Sequence, residues 1–93
     1  MAKVIPTAGE HYEVQPKNGK FFELEELQKI VGGYIEIIYL KKGLLMVINE
    51  DGKFIFHDKP NHDASFWAIK DKAIPFYDAI FGPALVCKNE EIR

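Results

Sequence analysis

A single cysteine, Cys87, stands in a chain of 93 residues. An intramolecular disulfide is therefore excluded, and a cysteine-based zinc site lacks ligands. Small secreted domains usually carry several bridges, so nothing here suggests an oxidising compartment. Arginine is as scarce, with Arg93 the only one. Bidentate recognition of guanine or phosphate favours arginine over lysine, which weighs against nucleic-acid binding. The net charge of −2 weighs the same way, because sequence-independent binding rests on many cationic contacts to phosphate. Also missing is the basic, aromatic-rich strand of a stacking RNA-binding sheet. No stretch approaches the roughly 20 apolar residues of a membrane span. Met1 to Pro6 lacks the apolar run of a secretory leader. A soluble cytoplasmic protein with no membrane partner is the expectation. Catalytic signatures are absent too: no G-x-S-x-G elbow, no P-loop and no G-x-G-x-x-G.

What is present is an ordinary globular balance, 47% apolar and 28% charged. One core is feasible at this length without staples. A single domain over residues 1–93 is expected, with 1–10 and 88–93 partly flexible. The aromatics (seven Phe, four Tyr, one Trp) are numerous enough to fill a core and leave some for the surface.

Residues 3–5 and 11–15 can each extend, with Pro6-Thr7-Ala8-Gly9 as a loop between them. Residues 23–31 read as a helix. Leu24, Leu27, Ile30 and Val31 form one apolar stripe, acidic residues occupy the first turn, and Gly32-Gly33 stops it. Tyr34 to Leu40 is rich in isoleucine and tyrosine and reads as a strand. Leu44 to Asn49 is apolar on both faces, as in a central, doubly covered strand. Glu50-Asp51-Gly52-Lys53 reads as a hairpin turn leading to a third strand, Phe54 to His57. A second helix is expected over 62–71, and a last strand over 78–87 that Gly82-Pro83 bends. Lys88 to Arg93 reads as a charged tail. The resulting order, β-α-β-β-β-α-β, predicts an α+β fold with a mostly antiparallel or mixed sheet and two helices on one face.

Leu27-Gln28-Lys29-Ile30-Val31-Gly32-Gly33-Tyr34-Ile35-Glu36 resembles the leading motif of a family of small uncharacterised proteins common in phages, plasmids and gut bacteria, grouped as a domain of unknown function. Asn49 to Lys53, Asn61 with Ala64, and Ile80 to Val86 are similar to further pieces of it. The resemblance implies a mobile-element or commensal-bacterial origin and no activity. One departure is Glu23, which stands where a Ser or Thr helix cap is expected.

Three groups of residues can carry chemistry. Glu36 lies within an apolar strand, on a face shared with Tyr34, Ile38 and Leu40. It forms a polar site if Asn49 and Asn61 join it on one side of the sheet. The competing reading gives Asn49 to a turn and Asn61 to a helix cap, with Glu36 pairing across the sheet. His57, His62 and Asp63 offer imidazole and carboxylate ligands to a divalent ion, but the spacing is not helical and nothing closes the coordination sphere. Cys87 ends an apolar strand and reads as a small buried hydrophobe. Phe66-Trp67 can serve as a binding hot spot, although a Trp on an amphipathic helix is more often core.

No cofactor is expected, and an enzyme is not favoured. The reading that best fits is a protein-binding module whose partner is another protein or a second copy. The alternative is a small-molecule binder or minor enzyme built on Glu36, Asn49 and Asn61.

Overall fold

In two strands, Leu44–Asn49 and Ala84–Lys88, nearly every residue is buried, whichever face it points to. Side chains alternate across a strand, so a sheet with such strands at its centre must be covered on both sides. The computed structural model, which describes residues 2–92, shows how this is done.

Five strands, β1 (Ala2–Ile5), β2 (Tyr12–Val14), β3 (Ile35–Tyr39), β4 (Leu44–Asn49) and β5 (Ala84–Lys88), form one sheet in the order β2-β1-β5-β4-β3. All four neighbouring pairs are antiparallel. Three helices, α1 (Leu24–Val31), α2 (Gly52–Ile55) and α3 (His62–Lys70), complete the α+β domain.

The alternation divides the interior into two cores. Ala2, Val4, Leu45, Val47, Leu85 and Cys87 point to one face, where Phe22, Leu27 and Val31 meet them. Ile5, Met46, Ile48, Ala84 and Val86 point to the other, under Ala64, Ala68 and Ile80. Helix α1 thus covers one side and α3 the other. The expected placement of both helices on one face is corrected. The physical reason is the two-sided apolarity of β4 and β5, which a single helical layer would leave half exposed. The two buried residues of α3, Ala64 and Ala68, lie one turn apart and let its backbone approach the sheet closely.

The expected third strand, Phe54 to His57, does not form: Phe54 and Ile55 end the short helix α2, and Phe56 and His57 follow in a turn. Strand β4 is already paired on both edges, with β3 and β5, so a chain returning beside it finds no free edge. The turn is set locally. Asn49 Oδ1 accepts the Asp51 N–H at 2.7 Å, and the Asp51 carbonyl accepts the N–H groups of Phe54 and Ile55 at 2.9 Å each. The last strand is shorter than the expected 78–87 and begins at Ala84, because Pro83 has no N–H for the ladder and Gly82 is left-handed at φ 87°. The presumed charged tail carries regular structure over its described part: Asn89–Glu91 forms a 3-10 turn, and Ile92 bridges to Phe22. At the other end, β1 is an inner strand, paired on both sides. Met1 and Arg93, which the expectation of flexible ends included, lie outside the described residues.

Helix α1 is closed at both ends. Glu23, in the cap position, makes no side-chain cap. The Glu26 carboxylate instead accepts the Glu23 and Lys17 N–H groups at 3.0 Å each, and these two bonds hold its pKa below the ordinary value. At the other end Gly32, at φ 84°, donates its N–H to the Gln28 carbonyl.

Two predictions follow from this packing. An alanine at Gly82 meets both a positive φ and a Phe56 ring carbon 2.5 Å from its Cβ. Gly82→Ala therefore destabilises by about 2 kcal/mol or more, seen as a lower urea midpoint at unchanged m-value. For Cys87, burial first and the Glu91 charge second push the thiol up to about 12 from 9.0. The folded state favours the neutral thiol, so this stabilisation is whole below pH 9 and is lost as pH rises toward 12. A thiol reagent at pH 8 is expected to label Cys87 only as fast as the protein opens; rapid labelling of the native protein would contradict the burial.

Candidate functional site

The two asparagines singled out from the sequence are, among the described residues, the two buried polar ones. Each is consumed by backbone. Asn49 donates from Nδ2 to the Val31 carbonyl at 3.0 Å, at the end of α1, while its Oδ1 takes the Asp51 N–H. Asn61, 1% exposed, donates from Nδ2 to the carbonyls of Ile5 and Gly82 at 2.8 and 2.9 Å. Its Oδ1 accepts the Ala64 N–H at 3.0 Å and so caps α3. One side chain thereby joins the end of β1, the loop before β5 and the start of α3.

Glu36 lies on the other face of the sheet from Asn49. It pairs with Ile48 in the register of β3 and β4, and Ile48 belongs to the α3 face. Asn49, next along β4, points to the α1 face, where its side chain reaches Val31. Glu36 and Tyr34 are exposed. Trp67 is half-buried against the second core and serves packing there. The imidazoles also stay apart. His57 Nδ1 lies 3.4 Å from the Phe54 carbonyl, and Asp63 pairs with His11 Nε2 at 2.9 Å. Among the described residues no three His, Cys, Asp or Glu side chains are grouped to hold a metal ion.

A different surface stands out. Of the twelve aromatics, Tyr12, Tyr34, Tyr39, Phe54, Phe66, Phe76 and Tyr77 are exposed, Phe54 and Phe76 at 83% each. Four of these, with Ile55, sit on segments that are tied together. Lys53 Nζ meets Asp78 Oδ1 at 2.6 Å and links α2, with Phe54 and Ile55, to the loop that carries Phe76 and Tyr77. This ammonium, and then the Ala79 N–H, hold the Asp78 carboxyl below its usual range. Ser65 Oγ accepts the Ile80 N–H at 2.8 Å, which fastens the same loop to α3 beside Phe66. The rings of Phe76 and Tyr77 meet edge to face, centroids 5.4 Å apart.

Of this surface, the sequence points only to Phe66, beside Trp67; Phe54 and Ile55 are hidden because Phe54 to His57 reads as a strand, which assigns its aromatics to packing. The available signal was Pro75-Phe76-Tyr77-Asp78, two aromatics in a loop. Loops run over the surface, so aromatics there are exposed unless something covers them.

Two open grooves complete the surface. One, about 890 Å³, lies between β2 and α1 and is lined by Tyr12, Val14, Phe22, Lys29 and Ile30 among others. The other, about 530 Å³, follows α3 and is lined by Ile69, Ala73, Ile74 and Phe76, with Lys72 and Pro75. Neither groove includes Glu36, Asn49 or Asn61. No helix among the described residues is long and apolar enough to cross a membrane.

Compared with known families, residues 2–92 match the one described as Domain of unknown function (DUF3846). No curated protein and no solved structure matches the chain.

The structural role of Asn61 is testable by two substitutions. Asn61→Ala leaves two carbonyls and a helix N–H without partners and costs about 3 kcal/mol or more. Asn61→Asp keeps the cap acceptor but sets a carboxylate against the Ile5 and Gly82 carbonyls, and is expected to destabilise at least as much. Urea denaturation checks both; a variant of native stability would contradict this role.

Proposed function

We propose, from the premise that the chain belongs to the DUF3846 family of unknown function, that it is a non-enzymatic protein-binding module. The observation that carries this reading is the exposed aromatic surface of Phe54, Ile55, Phe66, Phe76 and Tyr77. Large rings left in water forgo burial, while aromatic residues are enriched at interfaces and at their energetic centres. The surface is also held in place, since the Lys53–Asp78 and Ser65–Ile80 contacts fix its segments before any partner arrives. Such preorganisation reduces the ordering cost of association. The partner is a protein with an apolar patch of its own. A cytoplasmic setting and a mobile-element or commensal-bacterial origin belong to the same proposal, and the motif resemblance supports the latter. The alternative, a small-molecule site of Glu36, Asn49 and Asn61, draws no support from the geometry. Both asparagines are spent on backbone, and Glu36 points to the face opposite Asn49.

The test is site-directed photo-crosslinking in the native host. A photoreactive residue at 54 or 76 is expected to give the same discrete protein adducts, which one at Glu13, exposed on β2, does not give. Phe76→Asp is expected to abolish the adducts formed from position 54 while changing stability by no more than about 0.5 kcal/mol. Equal adducts at all three positions, or none at 54 and 76, would remove the proposal.

A further inference from the structure

We infer that the open edge of β3 pairs with the same edge of a second copy, antiparallel and centred on Ile37. This goes beyond the aromatic surface and uses a different part of the molecule.

The direction of each backbone group follows from the ladder. Residues 40 and 44 face each other across β3 and β4, and the Leu40 N–H donates to the Leu44 carbonyl at 3.0 Å. At the other end the Glu50 N–H donates to the Tyr34 carbonyl at 2.8 Å. Hydrogen-bonded and non-bonded pairs alternate in an antiparallel ladder. The even-numbered residues of β3 therefore turn their N–H and C=O toward β4. Ile35, Ile37 and Tyr39 turn theirs outward, on an edge with no neighbouring strand.

The two flanking N–H groups on that side are already used. Gly33 donates to the Gln28 carbonyl at 3.1 Å, and Lys41 donates to Asp71 Oδ2 at 3.0 Å. The open donors are thus confined to Ile35, Ile37 and Tyr39. A two-fold axis at Ile37 sets Ile37 against the partner's Ile37, and Ile35 against the partner's Tyr39. Every outward N–H then meets an outward carbonyl. Shifting the centre by one residue either way calls on Gly33 or Lys41, whose N–H is occupied. The edge is complementary to itself in one register.

The side chains agree with that register. Ile35, Ile37 and Tyr39 share the α1 face, so the pairing builds an apolar ladder of aromatic on β-branched and isoleucine on isoleucine, both favourable across strands. On the other face Glu36 stands opposite the partner's Ile38, and the unfavourable direct match of two glutamates is avoided. The Lys41–Lys42 turn of each copy falls beside the Gly32–Gly33 end of α1 in the other, where the helix dipole favours a cation. Nothing in Ile35–Tyr39 resembles the usual guards of an edge: there is no proline, no glycine and a single charge. The opposite edge of the sheet is protected differently. Strand β2 has three residues, with Gly9 before it and Pro16 after it.

Sedimentation velocity over a wide concentration range tests the pairing, together with two variants. The wild type is expected to show a reversible monomer–dimer equilibrium. Ile37→Pro removes an N–H that makes no bond to β4, a position where an edge strand tolerates proline; it is expected to weaken association by about tenfold or more with native circular dichroism. Ile37→Cys places two thiols on a hydrogen-bonded pair, with Cα atoms about 5.5 Å apart, within disulfide reach. Under mild oxidation it is expected to form a covalent dimer faster than Glu36→Cys, and the wild type, whose only thiol is buried Cys87, to form none. If Ile37→Pro fails to fold, the crosslinking comparison decides. A wild type that stays monomeric throughout, a dimer indifferent to Ile37→Pro in the folded state, or equal crosslinking at 36 and 37 overturns the inference. A strict monomer that still gives adducts from positions 54 and 76 would sink the pairing and leave the binding module standing.

Discussion

Strands β4 and β5 bury side chains on both of their faces, and the rest of the architecture answers to that constraint. A sheet with such strands at its centre cannot leave a side in water, because each exposed Leu, Ile or Val would forfeit about 1.5–3 kcal/mol of burial. The chain supplies one helix per side. Helix α1 contributes leucine and valine to its core, and α3 contributes alanines that bring its backbone close. Even Cys87 is absorbed by this demand, its buried thiol serving as one more apolar group in the α1-side core.

Polarity inside the domain is spent on connections. A buried backbone group without a partner is costly, and the places where α1 and α3 meet the sheet leave such groups behind. Asn49 and Asn61 satisfy them, one at the end of a helix and the other at the start. An amide suits both positions because it donates and accepts at once. These two side chains are therefore explained by the geometry of the chain, and no ligand is needed to account for them.

The surface shows the reverse pattern. Rings that could have filled a core lie in water on α2, α3 and the loop between α3 and β5, and that loop is tied to both helices. Strand β3 ends the sheet without a cover. Burial is thus left incomplete in two separate places, a ring-rich surface and a strand edge.

Local pattern was enough for the helices at Leu24–Val31 and His62–Lys70, the strand at Leu44–Asn49 and the role of Gly32, because each is written in periodicity or a single backbone preference. The two-sided apolarity of Leu44 to Asn49 marks a doubly covered strand, and it already implies helices on both faces, against the expectation of two helices on one. Other features were decided by tertiary structure. Phe54 to His57 has the composition of a strand, but β4 is paired on both edges and the Asn49 and Asp51 hydrogen bonds turn the chain into α2. Whether Glu36, Asn49 and Asn61 meet depended on which face each position takes and on which carbonyls folding brings within reach. The exposure of Phe54 and Phe76 likewise followed from where the chain had no further sheet or helix to offer. Sequence alone determined which residues are apolar and where the strongly periodic segments lie; strand order, the partners of buried amides and the uncovered surfaces arose from contacts between residues far apart in the chain, which no local preference encodes.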